Sequence, residues 1–364
     1  TLTHTFSGNL IYSGGSMLSL SSDAATRKIR LQVSDMATPT AGNSILFTTI
    51  KVASSTAEET PGTVWSAADS HLIVTGSKPS LSPKGTIVHP GVQFVTGGNA
   101  NGNFMSFSGN ALVPTTTYDS TDINTAGSDD VVDIASGTQT LSSSTTIHAL
   151  RLIGTLNMGS HTLTIAGGGL IIGHGSGGTT KTVGTSSATI DFGSTPAFIH
   201  GSRRDNRNQI AARITGSGGL TVMGNNLELI NNSIVTPNTF TGGIYVNTGI
   251  LRVVENAANN NDITVGGLGR LTTLSTTDVI GGLSGSGWVS GWHRDTGTST
   301  GTLSINPASG VYTFDGRLTD GETGRALAII KGGAGTQVFG PDSVGSYTGT
   351  TACLLYTSPS PRDS

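Results

Sequence analysis

Charge is scarce in this chain: Asp, Glu, Lys and Arg make up 11% of its 364 residues, against about 25% in an average soluble domain. The formal net charge is only −3, which argues against nucleic acid or an anionic membrane surface as the main partner. Aromatics are 5%. No apolar run approaches the roughly 20 residues of a membrane-spanning helix; GGGLIIG (Gly167 to Gly173) is among the more apolar and is far too short. No helical period of apolar residues is sustained anywhere. Disorder is also excluded, because it requires few apolar residues and high net charge. Here hydrophobic residues reach 35% and come in short β-branched bursts. An all-β architecture remains.

The single cysteine, Cys353, lies in CLLYTSPSPRD (Cys353 to Asp363). That segment resembles the translation of a transposase-type sequencing adapter, so residues 353–364 are set aside as an artefactual tail. The remaining chain has no cysteine, and so neither a disulfide nor a thiolate zinc site. At the other end, Thr1 opens inside a strand-like pattern with no initiator Met. The chain therefore reads as a fragment, and a missing leader carries no weight.

What the chain does have is glycine, 53 residues of it, together with abundant Ser and Thr. From residue 135 onward short strand-like runs recur: HTLTIAG (His161 to Gly167), SATIDFG (Ser187 to Gly193), GLTVMG (Gly219 to Gly224), LELINNS (Leu227 to Ser233). GIYVN (Gly243 to Asn247), GILRVV (Gly249 to Val254), DITVGG (Asp262 to Gly267) and GTLSIN (Gly301 to Asn306) continue the series. Their spacing of about 8–12 residues suits an all-β domain. Sandwich strands are longer and alternate cleanly. Strands this short, joined by glycine corners, point to a right-handed parallel β-helix, a solenoid of stacked rungs.

An internal repeat supports the solenoid. Leu220 to Gly242 can be laid on Leu327 to Gly349 without a gap, matching Leu220 to Leu327, Phe240 to Tyr347, Thr241 to Thr348 and Gly242 to Gly349. The stretch Ile214 to Ala258 then resembles the autotransporter-associated β-strand repeat. Phe240, Thr241, Gly242 and Gly243 stand where that repeat has Tyr-Thr-Gly-Gly, and Val246, Asn247, Gly249 and Leu251 fill its Val-Asn-x-Gly-x-Leu. Ile280 to Gly291 (IGGLSGSGWVSG) resembles its linker rung. The Lys-x-Gly-x-Gly turn of the family is replaced here by Met223-Gly224-Asn225-Asn226. The resemblance implies a passenger or stalk segment outside a Gram-negative-type bacterium, with an outer-membrane barrel or anchor beyond the fragment. It also implies that the strand-corner-strand of the second copy, interrupted after Ala352, continues in the native chain.

Residues 1–115 are less regular. KIRLQVSD, SILFTTIKV, HLIVTG and GVQFVTGG read as strands, but Pro39, Pro61, Pro79, Pro83, Pro90 and Pro114 interrupt them, and proline in β structure belongs at edges, bulges and turns. This part is expected to form irregular β-helix rungs with long loops, or else a separate small β domain. Residues 116–134 read as the boundary, 135–352 as the β-helix.

Chemistry-bearing clusters are few. Asp129, Asp130 and Asp133 could supply oxygen ligands to calcium, but read more simply as a solvated loop. Arg203, Arg204, Asp205 and Arg207 could grip an anionic polysaccharide, or form a surface turn. The eight histidines show no metal-ligand spacing. The Gly-x-Gly patterns of Gly167 to Gly178 lack the Gly-Lys-Ser/Thr ending of a phosphate loop, and no Gly-x-Ser-x-Gly nucleophile elbow stands out. In the repeat region the acids sit singly at Asp191, Glu228, Glu255, Asp262 and Asp278, whereas glycoside hydrolysis needs two carboxylates across one substrate. The expectation is a structural, non-catalytic segment of a secreted or cell-surface protein, without cofactor or metal. Its expected partners are a surface polysaccharide or a ligand on a host or neighbouring cell. The alternative is a carbohydrate-binding or polysaccharide-degrading β-helix.

Overall fold

A computed structural model describes residues 2–5, 8–12, 14–20, 29–49, 72–96, 101–174, 180–202, 207–231, 233–273, 276–291, 300–321, 325–340 and 345–354. The fold is all-β, and its larger part is a parallel β-helix. A first ladder of parallel strands runs through Val131–Ile134, residues 149–152 and 169–172, Ala197–Gly201, Leu220–Gly224, residues 244–246 and 263–265, and Leu283–Gly285. It continues through Val311–Phe314 to Thr336–Phe339. A second ladder runs from Lys181–Val183 through Asn208–Ile210, Asn226–Leu229, residues 250–253 and 269–273, Trp288–Ser290 and Arg317–Thr319. The third side is strand-paired over residues 145–147, 162–165, Thr189–Asp191 and Arg213–Thr215. It is paired again from Thr277–Ile280 through Gly301–Ile305 and Leu327–Lys331 to Thr351–Cys353.

Side chains in a strand alternate between its two faces, and parallel register stacks like on like. Leu150, Leu170, Ile199, Val222, Val246 and Val265 follow one another up the inside of the first ladder. Leu227, Leu251, Leu271, Val289 and Leu318 do the same in the second. All belong to one continuous buried core. Ile244, Leu251 and Val253 point inward, as the repeat pattern predicts. The corner between two ladders needs Gly249: its φ is +76°, and a Cβ there would meet the Gly224 carbonyl oxygen at 1.9 Å.

The first rung begins with Val131 and Val132, both buried, inside the stretch read from sequence as a boundary. Residues before it form a smaller coil. Leu2–Thr5, Ile29–Val33 and Leu72–Val74 make one parallel ladder; Gly15–Leu20, Ser44–Thr49 and Val92–Thr96 make another. The antiparallel strands Asn103–Ser108 and Ala111–Pro114 join the two into a curled sheet around its own core.

The small coil lies along the outer face of the first ladder. Leu46 and Val95 pack on Phe198 and Met223, while Ile87 and Phe104 pack on Val131, Ala149 and Ile171. Polar contacts fix the register: Asn247 Nδ2 donates to Gly42 O (3.2 Å) and Ser44 Oγ (2.7 Å), Gly42 N–H to Thr221 Oγ1 (3.0 Å), and Arg151 Nε–H to Gly102 O (2.9 Å).

Candidate functional site

The second ladder turns mostly polar and charged residues outward. Alternation that turns Leu227, Leu229, Leu251 and Val253 inward turns Asn226, Glu228 and Arg252 outward. Glu228 is nevertheless 0% exposed and Arg252 2%. The Glu228 carboxylate accepts from Arg207 Nε (2.8 and 3.1 Å), Arg252 Nη1 (2.9 Å) and Gln209 Nε2 (2.7 Å). Arg252 Nη1 also donates to Asn226 Oδ1 at 2.6 Å. Donors crowd both oxygens of this carboxylate, which anchors three coils to one another. Nearby, Asn208 Nδ2 donates to Ser202 O (2.6 Å) and Asn226 O (2.7 Å), and His174 Nε2–H to Asn208 Oδ1 (2.8 Å).

Two rungs further on, the same face carries an aromatic. Register places Ile250, Arg270, Trp288 and Arg317 in one column and Arg252, Thr272, Ser290 and Thr319 in the next. Trp288 is 41% exposed. The guanidinium carbons of Arg270 and Arg317 lie 5.9 and 5.3 Å from its ring centroid, within cation–π range. Arg270 Nε–H is tied to Ser290 Oγ at 2.9 Å. Ile280 to Gly291 resembles a linker rung, and that resemblance gives Trp288 no role. The signal was present: Arg-Leu-Thr at 270–272, Trp-Val-Ser at 288–290 and Arg-Leu-Thr at 317–319 share an outer–inner–outer pattern.

The candidates singled out from sequence are dispersed. Asp130 pairs with Lys84, which together with the Gly127 N–H holds its carboxyl below the usual carboxylate range. Asp133 pairs with Arg151 Nη1 at 2.9 Å. The two acids thus face different cations. Of the basic loop, Arg207 is the residue bound to Glu228; Arg203, Arg204 and Asp205 lie outside the described residues. In Gly167 to Gly178, residues 167–172 are strand, and Gly175 to Gly178 lie outside the described residues.

The repeat-motif residues divide. Gly242 and Gly243 have φ of +92° and +84°, Phe240, Val246 and Leu251 are in the core, and Asn247 faces the small coil. Leu220 pairs with Ala197 and Ile244 in the first ladder, whereas Leu327 pairs with Gly301 on the third side. Leu220 to Gly242 and Leu327 to Gly349 therefore sit at different phases of the coil. Tyr347 is partly buried against the core, and the amide and hydroxyl of Thr348 bind Asp320. Rung length varies with the loops, so equal spacing in sequence does not give equal position in the stack.

Two histidines lie where the small coil meets the β-helix. His200 is fully buried, its ring between Gly102 and Gly224, and neither ring nitrogen has a hydrogen-bond partner among the described residues. His89 meets Phe198 edge-on at 5.0 Å. Burial lowers the pKa of each to about 4, with His148 adding to the effect on His89. Both are neutral when folded, and the unfolded chain binds protons first. Stability is therefore full above pH 6.5 and is lost as pH falls from 6.5 toward 4. The expected loss is on the order of 2–3 kcal/mol per histidine. Urea denaturation at stepped pH measures it; His200→Leu should flatten the slope, and an unchanged slope would refute the assignment.

Comparison with protein-family models, with curated proteins and with solved structures finds no match to this chain.

Proposed function

We propose that this chain is a structural, non-catalytic stalk segment of a secreted or cell-surface bacterial protein, of the autotransporter passenger type. The observation that carries this reading is how the β-helix uses its carboxylates. Asp133 bonds to Arg151, Asp191 Oδ1 accepts from Thr215 Oγ1 (2.6 Å), and Glu228 binds Arg252. Asp278 accepts from the Glu255 N–H (2.8 Å), Asp262 from the Gly282 N–H (2.6 Å) and Asp320 from Thr348. Each of these acids joins one coil to another. Such bonds tie successive rungs together along the axis, as a rod requires, whereas hydrolysis of a glycoside calls for two carboxylates facing one substrate. The shortage of charge and the aliphatic core support the same reading, because a solenoid of this kind gains stability rung by rung.

The test is enzymatic. Purified chain incubated with uronate-containing and neutral polysaccharides is expected to release no reducing ends and no unsaturated products above a heat-denatured control. In parallel it should resist proteinase K. Product formation that scales with protein concentration would move the function to a lyase or hydrolase.

A further inference from the structure

The geometry points to a binding site for an acidic polysaccharide, centred on Trp288 and Arg317 on the outer face of the second ladder. This goes beyond the stalk reading and does not depend on it. The indole is flanked by two guanidinium groups yet 41% exposed, and the part left open is an apolar surface against which C–H groups of a sugar ring can pack. Arg270 steadies it from one side, itself tied to Ser290. On the other side Arg317, exposed and 5.3 Å from the ring centroid, offers a planar fork of N–H donors that matches a carboxylate.

The spacing of the column suggests which polysaccharide. Adjacent parallel strands lie about 4.8 Å apart, so Arg270 and Arg317, separated by the Trp288 rung, are roughly 10 Å apart along the axis. That is close to one disaccharide of an extended chain. A polymer with an acidic group on every second sugar would set its charges at the arginines and an intervening ring against the exposed part of the indole. The polysaccharide would then run parallel to the helix axis. A duplex polynucleotide is disfavoured because each of its strands carries a phosphate roughly every 3.4 Å along the axis, far denser than the two arginine positions.

The experiment uses the whole chain and oligosaccharides of alternating glucuronate and N-acetylglucosamine, read by calorimetry. Chito-oligosaccharides of the same length and poly-glutamate serve as probes of sugar without charge and charge without sugar. The alternating oligosaccharide should bind at least tenfold more tightly than either, and weaken as salt is raised. Trp288→Ala and Arg317→Ala should each reduce affinity at least tenfold with the denaturation midpoint unchanged; if Trp288→Ala fails to fold, Arg317→Ala decides. Equal binding of poly-glutamate or of the neutral sugar would overturn the proposal, as would unchanged affinity in the variants or no binding at millimolar oligosaccharide.

Discussion

Leu251→Asp should unfold the β-helix at 25 °C. Leu251 is 0% exposed and stacked between Leu227 and Leu271 in the inner column of the second ladder. Truncating a buried leucine already costs about 2–5 kcal/mol. A carboxylate at this position adds the cost of desolvating an ion among aliphatic neighbours. The sum approaches the total stability of a typical domain, about 5–15 kcal/mol. Loss of proteinase K resistance and of the cooperative urea transition is the expected readout. Leu251→Met, which keeps the volume, should change the midpoint little. A Leu251→Asp chain that resists digestion like the parent would place this column outside the core.

Glu228→Gln should be almost as damaging, for an electrostatic reason. The carboxylate takes bonds from Arg207, Arg252 and Gln209 with no solvent access. An amide replaces one acceptor by a donor and leaves Arg252, 2% exposed, without its counter-charge. Breaking a buried pair from one side costs about 3–5 kcal/mol. Removing both partners is different: Glu228→Leu with Arg252→Met should recover most of that loss, because an apolar replacement of a buried ion pair is often neutral or stabilising. Arg207, half-exposed, can turn to solvent in either variant. Denaturation of the single and double variants measures the coupling. If Glu228→Gln costs under about 1 kcal/mol, solvent reaches the pair and its burial is not what holds it.

The inner columns were legible residue by residue. In LELINNS and GILRVV alternate positions are aliphatic, and Leu227, Leu229, Leu251 and Val253 are all core. The partners across rungs were not legible. Glu228 meets Arg252, and Arg270 meets Trp288 and then Arg317, at sequence separations set by intervening loops of unequal length. In sequence Glu228 is an isolated acid and Trp288 part of a linker, because neither has its partner nearby in the chain. The histidines show the same limit. His200 reads as one of several scattered histidines until the small coil covers the first ladder.

By itself the amino-acid sequence determined the all-β class, the short strands, the glycine corners and the identity of the core positions. Each of these follows from local physics: a side-chain period of two, the β-branched preference for extended backbone, and the left-handed φ that Gly249 adopts. Only the tertiary structure decided which outward-facing residues are buried. Phe198, Thr221, Met223 and Asn247 occupy outer positions of the first ladder, yet the residue 1–115 coil takes them from solvent. The Trp288 column stays half open. That outcome depends on how two stacks of rungs lie side by side and on the register between coils, and both are set by contacts between residues remote in sequence.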